Sequence, residues 1–489
     1  MFEKLRNRFK IFLDSPKDVP LLAGFISGFY PFLFFYSNNY PSVNTWQHTG
    51  FFFLLYVVPA VFITVVCYII FGVIDKLKTY RKHLLFVLPV IITSALLSYI
   101  MYFTFKKKIL LCLLIIMCLL SLKLHNHYKR ILVLILVMAL FPVFRIAIHI
   151  YQDTMPMQWV KQEDDILNIK FRHKPNIYMI QPDGYASEQI MEKPPYSYQN
   201  DFYGWLEGSG FKVYDGFRSN YPASLTSNAS IFAMKHHYFD YLLFPSIEMP
   251  NAREAIMDNN AVKVLKGNGY ASFFLAEDEY LRQNRTKGNY DYYNFEREDI
   301  PLYTKGDKLV REVYYDLEKV VKNKTGNPKF VFVEKVLPHH IHFDGTGKKA
   351  ERDEYIAKIR QANGWLKKTI ATIEANDSNA VIIILADHGG WVGMENYNEF
   401  CSTKDESLVR STFGTLAAIK WNGLEHSEYD KKLKTNVNVF RVLFSCLAEN
   451  TSYLNHLEKD TSYNIRYESF MDGVYELIDQ NGKVVREKQ

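Results

Sequence analysis

The chain has 489 residues, of which 48% are hydrophobic and 22% charged, a content that excludes a disordered or collagen-like polymer. A soft prior of about 150 residues per domain leaves room for roughly three units. The formal charge of +6 is modest, and the Lys and Arg residues gather beside apolar runs, which argues for membrane flanks rather than nucleic acid.

In chain order, five apolar runs come first, at about 19–37, 49–74, 84–104, 109–122 and 131–150. Roughly 20 apolar residues cross a hydrocarbon core, so residues 1–150 read as a transmembrane bundle of five helices, the fourth being short. The first run follows Lys4, Arg6, Arg8, Lys10 and Lys17. It is too long, and followed by too many further spans, to be a cleaved signal peptide. The connector near 38–48 has no Lys or Arg, whereas 75–83 carries Lys76, Lys78, Arg81 and Lys82, and 123–130 carries Lys123, Lys129 and Arg130. This alternation places the N-terminus inside and everything past residue 150 outside. Lys106, Lys107 and Lys108 run against it and are expected to snorkel from a tight hairpin. A fourth run that fails to cross would reverse the side of the rest.

Residues 151–173 read as a polar juxtamembrane linker with an interfacial patch at Met155, Met157 and Trp159. From 174 to 489 the pattern alternates. Short β-rich runs at Ile177–Ile180, Phe211–Val213, Ser272–Leu275, Phe330–Val333 and Val381–Leu385 are separated by helical stretches near 198–208, 253–266, 308–322, 352–375 and 436–448. Alternation of this kind predicts an α/β domain with a mostly parallel sheet, and ligands at the C-terminal ends of its strands. Of five cysteines, Cys67, Cys112 and Cys118 lie in apolar runs, and the pairing of Cys401 with Cys446 stays open.

Three segments carry candidate chemistry. Asn176–Ile180 runs through Gln181-Pro182 into Asp183-Gly184, placing a carboxylate at a strand exit; an Asp-Gly there, taken alone, is more often a turn. Val381–Leu385 runs into Ala386-Asp387-His388-Gly389-Gly390, and a carboxylate beside an imidazole offers two ligands to Zn²⁺ or Mn²⁺. Ser219-Asn220-Tyr221-Pro222-Ala223-Ser224-Leu225-Thr226-Ser227-Asn228-Ala229-Ser230 opens a helix, where a hydroxyl meets the positive helix end that binds phosphate readily.

Together these segments resemble the sulfatase-like members of the alkaline phosphatase superfamily. Five spans before such a domain resemble the lipoteichoic acid synthase and lipid A phosphoethanolamine transferase branch. Thr412–Ile419 looks like the family strand that follows the metal motif, and Asn436–Arg441 like its late helix. The resemblance implies an alkaline-phosphatase-like fold after the membrane bundle. It implies that Asp183, Asp387 and His388 hold one divalent metal, with Zn²⁺ or Mn²⁺ expected and Mg²⁺ admitted. A hydroxyl completes the site and acts as nucleophile: register favours Ser224, and Thr226 is the alternative. Pro338-His339-His340-Ile341-His342 matches a family element that contacts the substrate phosphate, so His339 is expected to touch it and to protonate the leaving alkoxide, with His340 beside it. Arg282, with Tyr280 and Asn284, is a candidate for headgroup binding.

Three departures from relatives narrow the reading. No His follows within Trp391–Cys401, the cysteines for several disulfides are lacking, and Thr226 and Asn228 replace the Pro and Arg that formylglycine formation needs after Ser224. The expected function is therefore transfer, not sulfate-ester hydrolysis. A phospholipid headgroup, glycerophosphate or phosphoethanolamine, would pass through a phospho-serine to an envelope glycan or glycolipid hydroxyl. The alternatives are a metal-dependent phosphodiesterase that uses water and a non-catalytic glycan-binding relative. The expected location is the cytoplasmic membrane, multi-pass, with the catalytic domain extracytoplasmic.

Overall fold

The computed structural model describes residues 2–154, 157–237, 251–303, 310–324, 326–343, 345–397, 399–465 and 473–488. Met155 and the side chain of Cys401 fall outside the described residues. Two compact units divide the chain, Met1–Met155 and Pro156–Gln489.

The first unit is all helix: α1 (Phe2–Asp14), α2 (Pro20–Val43), α3 (Trp46–Val73), α4 (Arg81–Tyr102), α5 (Lys107–Leu124), α6 (Tyr128–Met138) and α7 (Leu140–Thr154). Among the described residues, four stretches are long and apolar enough to cross a membrane: Pro20–Val43, Trp46–Val73, Asp75–Tyr102 and Lys107–Val160. The last contains both the fourth and the fifth expected runs. Its break at Ala139 has a local cause, because Pro142 has no N–H to donate to the carbonyl one turn earlier. The helices are apolar outward as well as inward, with Leu54, Phe62 and Leu119 all exposed. Such surfaces suit hydrocarbon, and the helix satisfies its own backbone there. α2 packs closest to α3, where a Cβ on Gly28 would meet the Tyr56 carbonyl oxygen at 2.4 Å. At the three-lysine turn, Lys106 lies over the Tyr102 ring, 4.6 Å from its centroid.

The second unit is built on a seven-stranded sheet: β1 (Ile177–Pro182), β2 (Lys212–Val213), β3 (Ala271–Ala276), β4 (Tyr292–Tyr293), β5 (Lys329–Lys335), β6 (Val381–Leu385) and β7 (Ala417–Lys420). Their order is β2-β7-β6-β1-β5-β3-β4. β7 runs antiparallel to both its neighbours, and the remaining pairs are parallel. β1, β5 and β6 are buried along their whole length. Alternate residues feed two apolar layers: Ile177, Met179, Phe330 and Phe332 face one, and Tyr178, Ile180, Val331 and Val333 the other. A separate antiparallel sheet joins β8 (Ser462–Ile465), β9 (Val474–Ile478) and β10 (Val484–Lys488).

Two local readings change. The helix expected over 253–266 is two, Ala252–Met257 and Asn260–Gly267. Asn259 caps the second by accepting from the Val262 amide at 2.7 Å, and its extended backbone stops the first. The stretch read as a polar linker is also packed: Ile166, Ile169 and Phe171 are buried in the core. Arg441 reaches Asp164 at 2.6 Å and Gln162 at 2.7 Å.

Candidate active site

Two chain segments leave the C-terminal edge of the sheet at adjacent strands, and a third meets them there. β1 ends at Pro182, so Asp183 is the first residue beyond it, and neighbouring β6 delivers Asp387 and His388. The third segment opens the helix Ser224–Ala233, in which Ser224 is the first residue after the extended Ala223. Gly184 takes φ +65°, and a Cβ there would meet the His340 backbone nitrogen at 2.8 Å, so the turn after Asp183 requires glycine.

Ligand atoms of Asp183, Asp387 and His388 all lie within 4.8 Å of one another, and all three residues are buried. Ser224 Oγ is 3.2 Å from His388 Nε2 and 3.4 Å from Asp183 Oδ1. His388 Nε2 is 3.3 Å from Asp183 Oδ1 and 3.6 Å from Asp387 Oδ2. The other imidazole nitrogen, Nδ1, donates to the Gly389 carbonyl at 2.8 Å. This bond fixes the ring orientation and turns Nε2 toward the carboxylates, the arrangement of a metal-ligating histidine. Asp387 Oδ1 accepts from the amides of Gly184 and His388 at 3.1 and 3.0 Å.

The electrostatics ask for a positive charge. Burial pushes the Asp387 carboxyl up, and the nearby Asp183 adds to the rise although His388 opposes it. Burial also works against a charge on Asp183, but His339, His388 and His340 together hold that carboxyl well below its usual range. Burial alone would push His388 down; Asp387 and Asp183 outweigh it and raise the imidazole to about 9. A proton on His388 is thus the protein's own substitute for a cation. Two carboxylates and one imidazole, buried and converging with a hydroxyl beside them, fit a divalent ion of the Zn²⁺, Mn²⁺ or Mg²⁺ type.

Further residues hold the cluster in place. Ser227, one turn along the helix from Ser224, donates to the Asp387 carbonyl at 2.6 Å. Asn436 Nδ2 donates to the carbonyls of Ala386 and Asp387 at 3.1 and 3.0 Å. Trp391 Nε1 donates to the Pro222 carbonyl at 3.0 Å, fixing the approach to Ser224. In the sequence Asn436 reads only as the start of the late helix that the resemblance implies, and Trp391 only as the start of a stretch without His; the Gly389-Gly390-Trp391 step beside Asp387 and His388 is the available signal.

The other candidates fall into place as follows. His339 Nε2 lies 3.7 Å from Asp183 Oδ2. Its backbone is left-handed at φ 65°, held by its amide donating to the Asp183 carbonyl at 2.9 Å. His340 stacks on Trp391 with centroids 3.5 Å apart, and burial, with His339 next, pushes its imidazole well down, so it is neutral. Thr226 donates its hydroxyl to the Ala223 carbonyl at 3.1 Å, on a different helix face from the ligands. Arg282 departs from its expected headgroup role: it is 3% exposed, donates to the Phe295 carbonyl at 3.0 Å and stacks on Tyr293 at 3.8 Å. Asn284 likewise turns inward, donating to Glu254 at 2.7 Å. Cys446 is a buried free thiol, pushed up to about 12 by burial, with Asp430, Glu425 and Glu449 adding to it.

The family model for sulfatases matches residues 180–448, more than half of the chain and the span that holds Asp183, Ser224, Asp387 and His388. The chain belongs to the sulfatase family. No curated protein matches it. Several solved structures are similar. The zinc-bound C-terminal periplasmic domain of EcEptC from Escherichia coli shares 13% identity, covering 64% of this chain and 95% of that one, with a TM-score of 0.44. The integral membrane lipooligosaccharide phosphoethanolamine transferase A (EptA) from Neisseria meningitidis shares 12%, covering 87% and 95%, with a TM-score of 0.41. The lipoteichoic acid synthase LtaP from Listeria monocytogenes shares 15%, covering 66% and 91%, with a TM-score of 0.42.

Proposed function

We propose that this sulfatase-family chain is a membrane-embedded phosphotransferase. It takes a phospholipid headgroup, glycerophosphate or phosphoethanolamine, onto Ser224 and passes it to the hydroxyl of an envelope glycan or glycolipid. One observation carries the reading: a helix-start hydroxyl stands within 3.4 Å of Asp183 and His388 in a buried ligand cluster. That is the setting a weak serine nucleophile needs. The apolar N-terminal helices support a lipid donor, because anchorage beside the bilayer keeps a poorly soluble substrate at high local concentration. The catalytic unit is assigned to the extracytoplasmic face of the cytoplasmic membrane, as the Lys and Arg pattern of the short loops favours.

Asp183, Asp387 and His388 would hold a divalent ion, which would supply Lewis-acid charge to a phosphoryl group. The rest is the work of the chain. Ser227, Asn436 and Trp391 fix the nucleophile helix against the ligand loop, so Ser224 Oγ is oriented before substrate arrives. The first amides of that helix face a phosphoryl oxygen and favour its negative charge. Ser224 Oγ gives its proton to water and attacks phosphorus, and the bond from phosphorus to the diacylglycerol oxygen breaks. His339 is placed to protonate that departing oxygen. An acceptor hydroxyl then attacks the phospho-serine and frees Ser224.

The test is lipid analysis of cells that express the protein and carry a labelled phospholipid pool. Labelled diacylglycerol together with labelled glycan is the expected result, lost in Ser224→Ala. Free headgroup phosphate without labelled glycan would make the protein a phosphodiesterase. Glycan binding that survives Asp387→Ala, with no product at all, would make it a non-catalytic relative. A trapped phospho-adduct on Thr226 would overturn the nucleophile assignment.

A further inference from the structure

One end of the helical bundle gathers positive charge far beyond what its own structure uses. The start of α2, the end of α3, the start of α4, the end of α5 and the start of α6 meet there. Tyr68 and Tyr128 both donate to Asp18, at 2.9 and 3.4 Å. Lys82 reaches Asn126 at 3.1 Å, and His83 stacks on His125 with centroids 4.0 Å apart. Around this knot Arg6, Arg8, Lys10, Lys76, Lys123 and Arg130 are exposed. Of the acids at the same end, Asp18 is engaged as above and Asp75 pairs with Lys78 at 2.7 Å, while Asp14 is exposed.

α1 gives this end a distinct shape. Its apolar residues Phe9, Phe12 and Leu13 recur at helical spacing, so they fall on one face, while Arg8 and Lys10 fall to either side of it. Phe9 is 49% exposed, so the apolar face is not fully covered by the bundle. The C-terminal end of α1 is tied down by Lys129, which is buried and donates to the carbonyls of Phe12 and Ser15 at 3.0 and 2.7 Å. The helix is thus a basic amphipathic arm fixed at the mouth of a membrane bundle.

We propose that this end of the bundle is a docking surface for anionic phospholipid headgroups, with α1 lying in the interface, its apolar face in the acyl boundary and its cations on lipid phosphates. Charge complementarity selects the occupant: a zwitterionic leaflet offers no net attraction to the exposed cations, whereas an anionic one concentrates them at its surface. An acidic protein partner would satisfy the charges but leave Phe9 in water or in a separate groove. The assignment is independent of the chemistry at Ser224, since none of these residues belongs to that unit.

The experiment places the full-length protein in nanodiscs of phosphatidylcholine alone or of phosphatidylcholine mixed with phosphatidylglycerol, and reads backbone hydrogen exchange along α1 and along the spans. The expected result is a several-fold slowing of exchange in α1 on adding phosphatidylglycerol, reversed by high salt, with the spans unchanged. The combined variant Arg6→Gln, Arg8→Gln, Lys10→Gln loses most of that slowing. Phe9→Glu loses it with all cations retained, and unchanged exchange in the spans shows that each variant is folded. Equal exchange of α1 in both lipids overturns the proposal. So does slowing that the triple variant keeps, or slowing that appears only with an added cell extract and not with lipid.

Discussion

Asp183, Asp387 and His388 leave the C-terminal edge of the sheet with their side chains turned toward one another, in a cluster no wider than 4.8 Å. The stretch Tyr280–Asn284 leaves the same edge after β3, two strands from β1, and turns its polar groups back into protein. In the first region the donors keep unshared electron pairs, and two carboxylates are held close without a fixed cation of comparable strength. In the second, the guanidinium of Arg282 already has a carbonyl and an aromatic face. A ligand site is a place where folding leaves valence unspent and charge unbalanced; a buried polar residue with all its partners is architecture. Substitutions in the two regions should therefore fail in different ways.

The largest effects belong to the first region. Ser224→Ala and Asp387→Asn should each lower turnover by roughly 10³-fold or more, because in the proposed reaction the nucleophile and its supporting charge act as a unit. Circular dichroism should stay that of the parent for Ser224→Ala, whose hydroxyl makes long contacts to the ligand cluster. An Arg282→Ala protein with the same loss of turnover and unchanged stability would erase the contrast between the regions. Next comes His339→Asn, expected to cost about 10²–10⁴-fold in kcat, the range of a lost general acid. The loss should be much smaller for a donor ester whose leaving group needs no proton.

Metal removal sharpens the same contrast through pH. In chelator-treated protein His388 carries a proton that the carboxylates favour: its folded pKa is about 9 against an ordinary 6.5. A group raised in this way stabilises the fold fully below its unfolded pKa, and that contribution is lost as pH climbs through the folded one. Stability of the stripped protein should thus decline between about pH 6.5 and 9. With a divalent ion bound, Nε2 has no proton to lose and that slope should vanish. Thermal melts across the range, with and without added Zn²⁺ or Mn²⁺, measure it; identical slopes would remove His388 from the ligand set.

How far these regions could be read in advance follows from their physics. β1, β5 and β6 are legible because strands buried on both faces are continuous apolar runs, and the residues just past two of them stand out as acids and an imidazole. The pair β8–β9 and the split at Asp258 were not legible, since short half-exposed strands and a single capped break leave no period to detect. Arg282 was misplaced for a related reason. An arginine near a strand end looks the same whether it faces a phosphate or a carbonyl, and only the fold decides. Ser227 and Asn436 act through backbone carbonyls, whose position no residue pattern encodes.

In the second region the effect should move from activity to stability. Arg282→Ala removes a buried donor and leaves the Phe295 carbonyl without it, which costs about 1–3 kcal/mol. Denaturant melts should show that loss while kcat per folded molecule stays close to the parent. Arg282→Lys should recover little, because a point charge cannot reproduce the planar contact with Tyr293.

The smallest effect tests the contrast inside a single helix. Ser224 and Thr226 are two residues apart, so about 200° of rotation separates them, and when one hydroxyl faces the ligands the other cannot. Thr226 has instead a local bond to the Ala223 carbonyl at 3.1 Å, within the first turn. Thr226→Val keeps the shape and removes only that bond, a loss of about 0.5–1.5 kcal/mol at most. Turnover should change less than about threefold, the rate equivalent of half a kcal/mol or so. A collapse of kcat in Thr226→Val with Ser224→Ala still active would require the helix to be rotated by half a turn, and Ser227 would then lose its bond to the Asp387 carbonyl. The two hydroxyls therefore cannot exchange roles without dismantling the latch that joins nucleophile and ligands.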